Sequence, residues 1–129
     1  MAATQSIESW LIDASEYLVT QWGLDKSFAS NAALLFLYLW QYGLSPVITS
    51  GWRSPEKQQE LYDRWQKGDP SIKYKPALNS KHLNTSWLGK PASLAIDIST
   101  NNPDYAAQIA KYLGISAGND FGDPVHFYI

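Results

Sequence analysis

The chain has no cysteine, one methionine and only two histidines in 129 residues. The missing thiols exclude disulfides and thiolate metal sites, although they say little about compartment. Basic excess is missing too. The formal net charge is −2, which argues against a general nucleic-acid binder, because neutralising phosphates needs surplus Lys and Arg. No apolar run is long enough to cross a bilayer; Ala32 to Trp40 is strongly apolar but far too short, and reads as a buried helix. The opening Met-Ala-Ala-Thr-Gln-Ser carries neither a basic n-region nor an apolar h-region, so a secretory signal is not expected. Internal repeats, low-complexity tracts and linkers are also missing.

What is present describes one globular domain. Apolar residues make up 45% and charged residues 17%, a balance that supports one ordinary core and not disorder. Six Trp and eight Tyr are a high aromatic load. Core filling is the plain reading, and a wall of rings around a cleft the sharper one. Charge is unevenly spread. Lys67, Lys73, Lys75, Lys81 and Lys90 are half of the ten basic residues, with only Asp69 among them as an acid. Such a run is commonly a solvated loop; if it lines a cleft, it suits an anionic substrate.

Taken in order, Ser6 reads as the N-cap of a helix to about Trp22, stopped by Gly23. Ile7, Trp10, Leu11, Ala14 and Leu18 form its apolar stripe. A second helix starts after Asp25 or Ser27 and runs to Gly43; its stretch Ala32–Trp40 is apolar all round, so both sides should be covered. Pro46 to Ser50 reads as a short strand. Ser54, Pro55 and Glu56 then open a helix to about Gln66, which leaves Arg53 in a strand-to-helix turn. Asp69 to Asn79 is a long loop, Leu94 to Ile98 a strand, Asn102 to Tyr112 a helix, and Val125 to Ile129 a last strand. The expected class is α+β: a small antiparallel sheet with packed helices.

Chemistry gathers at His82, in Ser80-Lys81-His82, at Asp97 within an apolar strand, and at His126 near the C-terminus. Two imidazoles and one carboxylate are the ligand set of an open zinc site, in which a fourth position is left for water or substrate. Each residue alone has a plainer explanation: a lone histidine is usually a surface or satisfied core group, a strand aspartate an edge or turn former. Their neighbours change the balance. Ser50-Gly51-Trp52-Arg53-Ser54 lies upstream, Ser80 precedes His82 by two, and Asp123 precedes His126 by three.

This order, Ser-Gly-aromatic-Arg-Ser, Ser-x-His, Ala-x-Asp and Asp-x-x-His-Phe, resembles the D-Ala-D-Ala carboxypeptidase and endolysin branch of the LAS zinc peptidases. The resemblance runs from about Pro46 to the C-terminus, and the first 45 residues match no motif. It implies a single zinc peptidase domain with 46–129 as the motif-bearing core; residues 1–45, read from their helical spacing alone, are a scaffold of two extra helices behind the sheet. It implies Zn2+ held by His82, Asp97 and His126, and Asp123 as the general base. Arg53 would clamp a substrate carbonyl or carboxylate, and Ser80 would touch substrate or orient the metal ligands. Asp120 is a rival base that fits no motif. One feature departs from the family pattern, Ser-x-His-x-x-Gly-x-Ala-x-Asp: here fifteen positions separate His82 from Asp97. The difference marks an insertion within Leu83 to Ser93, expected as a loop over the cleft.

The implied substrate is the peptidoglycan stem peptide, whose free carboxylates would suit the lysine run. Asp-Pro-Val-His-Phe is nearer the endolysin ending, which favours an L-Ala–D-Glu endopeptidase over a D,D- or L,D-carboxypeptidase. A non-catalytic zinc-binding module and a phage tail or secretion-system component are the other classes. The expected protein is a monomer with no room for a separate wall-binding domain, made in the cytoplasm and acting on the wall after release or injection.

Overall fold

The computed structural model describes residues 6–129, apart from the side chains of Asp120 and Phe121. Two helices come first, α1 (Ile7–Trp22) and α2 (Lys26–Gln41). Ser6 starts α1 by accepting a hydrogen bond from the Ser9 amide at 3.0 Å, satisfying one of the donors that a helix start leaves unpaired. Gly23 ends it in the left-handed region, φ 65°, and the amides of Gly23 and Leu24 donate back to the carbonyls of Val19 and Leu18. This double closure reverses the chain and drops Leu24 into the core. Asp25, not Ser27, caps α2, its carboxylate accepting from the Phe28 amide at 3.0 Å.

After β1 (Val47–Ser50), α3 (Pro55–Gln66) begins on Ser54, whose hydroxyl accepts from the Lys57 amide. The remaining elements are β2 (Ala95–Ser99), α4 (Pro103–Tyr112), β3 (Ser116–Ala117) and β4 (His126–Tyr128), with short 3-10 turns at Lys81–Leu83 and Gly118–Phe121. The sheet runs β1-β2-β4-β3 and every pairing is antiparallel. The α+β class expected from the sequence is the one observed. Neither β3 nor the two turns was expected, since elements this short carry no periodicity to read.

The sheet's two faces divide the labour. Ile96 and Ile98 of β2 and Phe127 of β4 are buried in one cluster with Leu18, Phe28, Leu35 and Leu39 of the two N-terminal helices. Side chains alternate along a strand, so Asp97 lies on the opposite face from its isoleucine neighbours. Its antiparallel partner is His126. The N-terminal helices fill one side, and the candidate site occupies the other.

Two sequence expectations fail here. Trp40 is 66% exposed and Ile7 60%, so α2 is not covered on both sides and the α1 stripe does not stay buried to its first turn. The reason is layering: α2 packs Ala32, Ala33, Leu35 and Leu39 inward, and a two-layer domain has no third layer to cover its outer face. Among the described residues no helix is long and apolar enough to cross a membrane.

Candidate metal centre

The backbone places His82 before any metal is considered. Ser80 caps the 3-10 turn, its hydroxyl accepting from the His82 amide at 3.2 Å. The amide of Arg53 donates to the His82 carbonyl at 3.0 Å, and that of Leu94 to the Lys81 carbonyl at 3.1 Å. The His82 ring then has one orientation open to it. Its Nδ1 lies 2.6 Å from the Gly51 carbonyl oxygen, which only accepts, so Nδ1 carries the proton and the neutral ring keeps its lone pair on Nε2. Gly51 can serve as that acceptor because it has no Cβ: one added there would stand 2.2 Å from the Trp22 carbonyl oxygen. The same carbonyl accepts from the Trp52 amide at 2.7 Å. The end of α1 is thus bonded directly to the Ser-Gly-Trp-Arg turn.

His82 Nε2 faces Asp97 Oδ1 at 3.0 Å and His126 Nδ1 at 3.2 Å, and the last two atoms are 3.1 Å apart. Three electron-rich atoms therefore form a nearly equilateral triangle, with His82 and Asp97 buried and His126 half-buried. A tetrahedral zinc with bonds of about 2.1 Å keeps its ligand atoms about 3.4 Å apart. The donor set and its spacing fit that ion. Three protein donors also leave a coordination position open.

Around the triangle the charges are arranged to keep Asp97 ionised. Burial alone would raise its pKa. The two imidazoles beside it, His126 and His82, with the charge of Arg53, outweigh burial and hold it far below the usual carboxylate range. Arg53 Nη2 bonds the other carboxylate oxygen, Oδ2, at 2.8 Å. Asp123 moves the other way: burial, then the charge of Asp97, raises its pKa above the ordinary value. Its carbonyl accepts from the His126 amide at 3.3 Å and its own amide donates to the Gly118 carbonyl at 2.9 Å. Gly118 packs against this turn so closely that a Cβ would meet His126 Cβ at 3.0 Å.

The geometry gathers His82, Asp97, His126 and Arg53, with Ser80 bonded to the His82 backbone and Asp123 held in the turn before His126. Arg53 does not project freely toward a substrate; its nearest partner is Asp97. The side chain of the rival Asp120 lies outside the described residues. The insertion forms a turn whose tip stands in solvent. Thr85 and Pro91 pair across a small hairpin closed by Ser86 and Lys90, and Trp87 at its tip is 93% exposed, so the ring covers nothing. Of the lysine run, Lys75 sits over the Trp65 ring and Lys81 over the Tyr128 ring.

Sequence reasoning missed two contributors. Tyr128 stacks on His126, with ring centroids 5.2 Å apart; strand periodicity puts the two residues on one face and would have found it. Gln58 is buried beside Arg53. It shares a helical stripe with Leu61, Tyr62 and Trp65, a polar residue on an inward face, and that was its signal.

No protein-family model matches the sequence, and no curated protein matches it. Among solved structures, the chain is similar to the vancomycin-resistance D,D-pentapeptidase VanY of a VanB-type resistance cassette, in a glutamate-to-alanine variant complexed with Zn(II). The TM-score is 0.55 at 20% identity, covering 81% of this chain and 71% of that one. That share exceeds what residues 46–129 alone make up, so the likeness takes in part of the helical N-terminal segment. The chain has the fold of this D,D-pentapeptidase, the LAS-type α+β fold that its motifs resemble.

Proposed function

We propose that the protein is a zinc-dependent peptidoglycan peptidase that hydrolyses one peptide bond of the stem peptide. The observation that carries this reading is the triangle of His82 Nε2, Asp97 Oδ1 and His126 Nδ1, with edges of 3.0–3.2 Å. The fold likeness to a Zn(II)-bound D,D-pentapeptidase supports it. Zinc, when bound, supplies polarisation of a carbonyl and acidification of a water. The other roles belong to the chain. Asp123, with its raised proton affinity, takes the proton of the attacking water as the water oxygen bonds the carbonyl carbon. It delivers that proton to the amine nitrogen as the C–N bond breaks.

Arg53 holds Asp97 by Oδ2, leaving Oδ1 to the two histidines. It also lines a groove of about 700 Å³ with Trp52, Lys57, Leu61 and Pro91, and its remaining N–H groups would donate to a substrate carbonyl or carboxylate. Ser80 acts through the His82 amide. Within the peptidase class, the Asp-Pro-Val-His-Phe ending supports an endolysin-type L-Ala–D-Glu endopeptidase. The fold likeness to a D,D-pentapeptidase favours a D,D-carboxypeptidase as the second reading.

Mass spectrometry of purified peptidoglycan digested by the zinc-loaded protein decides between them. Separation of the stem at L-Ala–D-Glu is the expected result, and release of a terminal D-alanine would select the second reading. Intact peptidoglycan after digestion would overturn both.

A further inference from the structure

Among the described residues, the buried polar side chains are Gln58, His82, Ser93 and Asp97. His82 and Asp97 belong to the triangle, and Ser93 is used by its own strand, bonding the amide and carbonyl of Ala95. Gln58 is left without an explanation. It is only 2% exposed, shielded from solvent, yet both ends of its amide are engaged. Oε1 accepts from Arg53 Nη1 at 3.2 Å, and Nε2 donates to the Ala77 carbonyl at 2.7 Å.

The chemistry of the partners fixes which end is which. A guanidinium only donates and a carbonyl only accepts, so a flipped amide would lose both bonds. The consequence for Arg53 is geometric. A guanidinium held by one bond, Nη2 to Asp97, can swivel about it. A second acceptor on Nη1 fixes the plane of the fork. Asp97 in turn is held at Oδ2 by that fork while Oδ1 faces the histidines. Side chains that orient metal ligands in this way typically change metal affinity or activity 10–100-fold when removed.

We infer that Gln58 is a positioning residue: by fixing the plane of Arg53 it sets the orientation of Asp97 in the metal centre. It ties that orientation to the long loop after α3 through Ala77. The inference rests on the metal-centre reading above, but not on which peptide bond is cut.

The test is a double-mutant cycle on zinc affinity, measured by chelator competition on folded protein, with melting temperatures taken on the same samples. Gln58→Met keeps length and removes both bonds; zinc affinity should fall about tenfold, the lower end for a residue acting through another. In an Arg53→Met background the same change should cost nothing further. Multiplying effects, or an unchanged affinity in Gln58→Met, would overturn the inference. Gln58→Glu separates positioning from simple packing, and serves on its own if Gln58→Met does not fold. It keeps the acceptor for Arg53 and loses the donor to Ala77. Affinity near wild type is expected, whereas a loss as large as that predicted for Gln58→Met would assign Gln58 to anchoring the loop and overturn the role through Arg53. A wild type that binds zinc but cuts no peptide would count against the peptidase reading alone.

Discussion

The ring of His82 is committed by a carbonyl, and that commitment decides what its other nitrogen can do. With Nδ1–H given to Gly51, Nε2 has only a lone pair to offer the triangle. His82→Ala and His126→Ala should therefore lose zinc outright, while Asp123→Asn should keep it. Asn is close to Asp in shape but takes no proton, so turnover on peptidoglycan should drop by about 10²–10⁴-fold. Turnover and zinc content are read from one sample; wild-type turnover by zinc-loaded Asp123→Asn would remove Asp123 from the mechanism. At this scale the sequence was informative about residues that react and silent about those that hold them. His82, Asp97 and His126 stood out because imidazoles are scarce in this chain and each sat in a recognisable neighbourhood. Gln58 looks like Gln59 beside it until the helix is rotated into place. The Arg53–Asp97 ion pair spans 44 positions, and no local pattern encodes a contact at that distance.

Helices were legible nearly to their ends, because Ser6, Asp25, Ser54 and Asn102 each supply a side-chain oxygen to a helix start. β3 was not legible, being two residues long, and neither was the outward face of α2. That face is a property of the molecule's thickness and not of the helix. The junction of α1 with the Ser-Gly-Trp-Arg turn makes a prediction at this scale. Gly51→Ala would push a methyl group against backbone, the Trp22 carbonyl, which cannot swing aside as a flexible side chain would. Stability should fall by at least the ~1–3 kcal/mol typical of overpacking, and the carbonyl that fixes His82 should shift with it. Thermal melting and zinc titration of Gly51→Ala check both; an unchanged protein would mean the junction is slack.

The turn after α3 adds a pH prediction. Arg64 Nε bonds Asp69 Oδ2 at 2.8 Å, and the Ser71 amide and hydroxyl bond Oδ1. Ser71, then Arg64, lowers the Asp69 pKa to about 2. A depressed carboxylate pKa contributes stability that is present above its unfolded value of 3.8 and is lost as pH falls toward about 2. The melting temperature of wild type should thus exceed that of Asp69→Asn at neutral pH, modestly because the pair is partly exposed. The gap should close between pH 4 and pH 2; a gap that persists at the acid end would assign the effect to something other than this charge.

At the scale of the whole molecule, the three donors come from distant parts of one chain. Asp97 is 15 positions from His82 and 29 from His126. The ends of two loops must meet before all three face one point, and closing loops costs entropy that only the paired sheet and its helical backing repay. The triangle is therefore expected to form late in folding, once β2 and β4 are in register. An ion that binds only the finished triangle has nothing to grip in the folding transition state. Zinc should leave the refolding rate of this protein almost untouched and slow its unfolding in proportion to the affinity. Stopped-flow traces with and without zinc would show the effect in the unfolding arm of the chevron alone; an accelerated refolding arm would mean that ligands already meet in the folding transition state. In kinetic terms the metal works as a latch on a door already shut, setting how long the native state persists and not how fast it is reached.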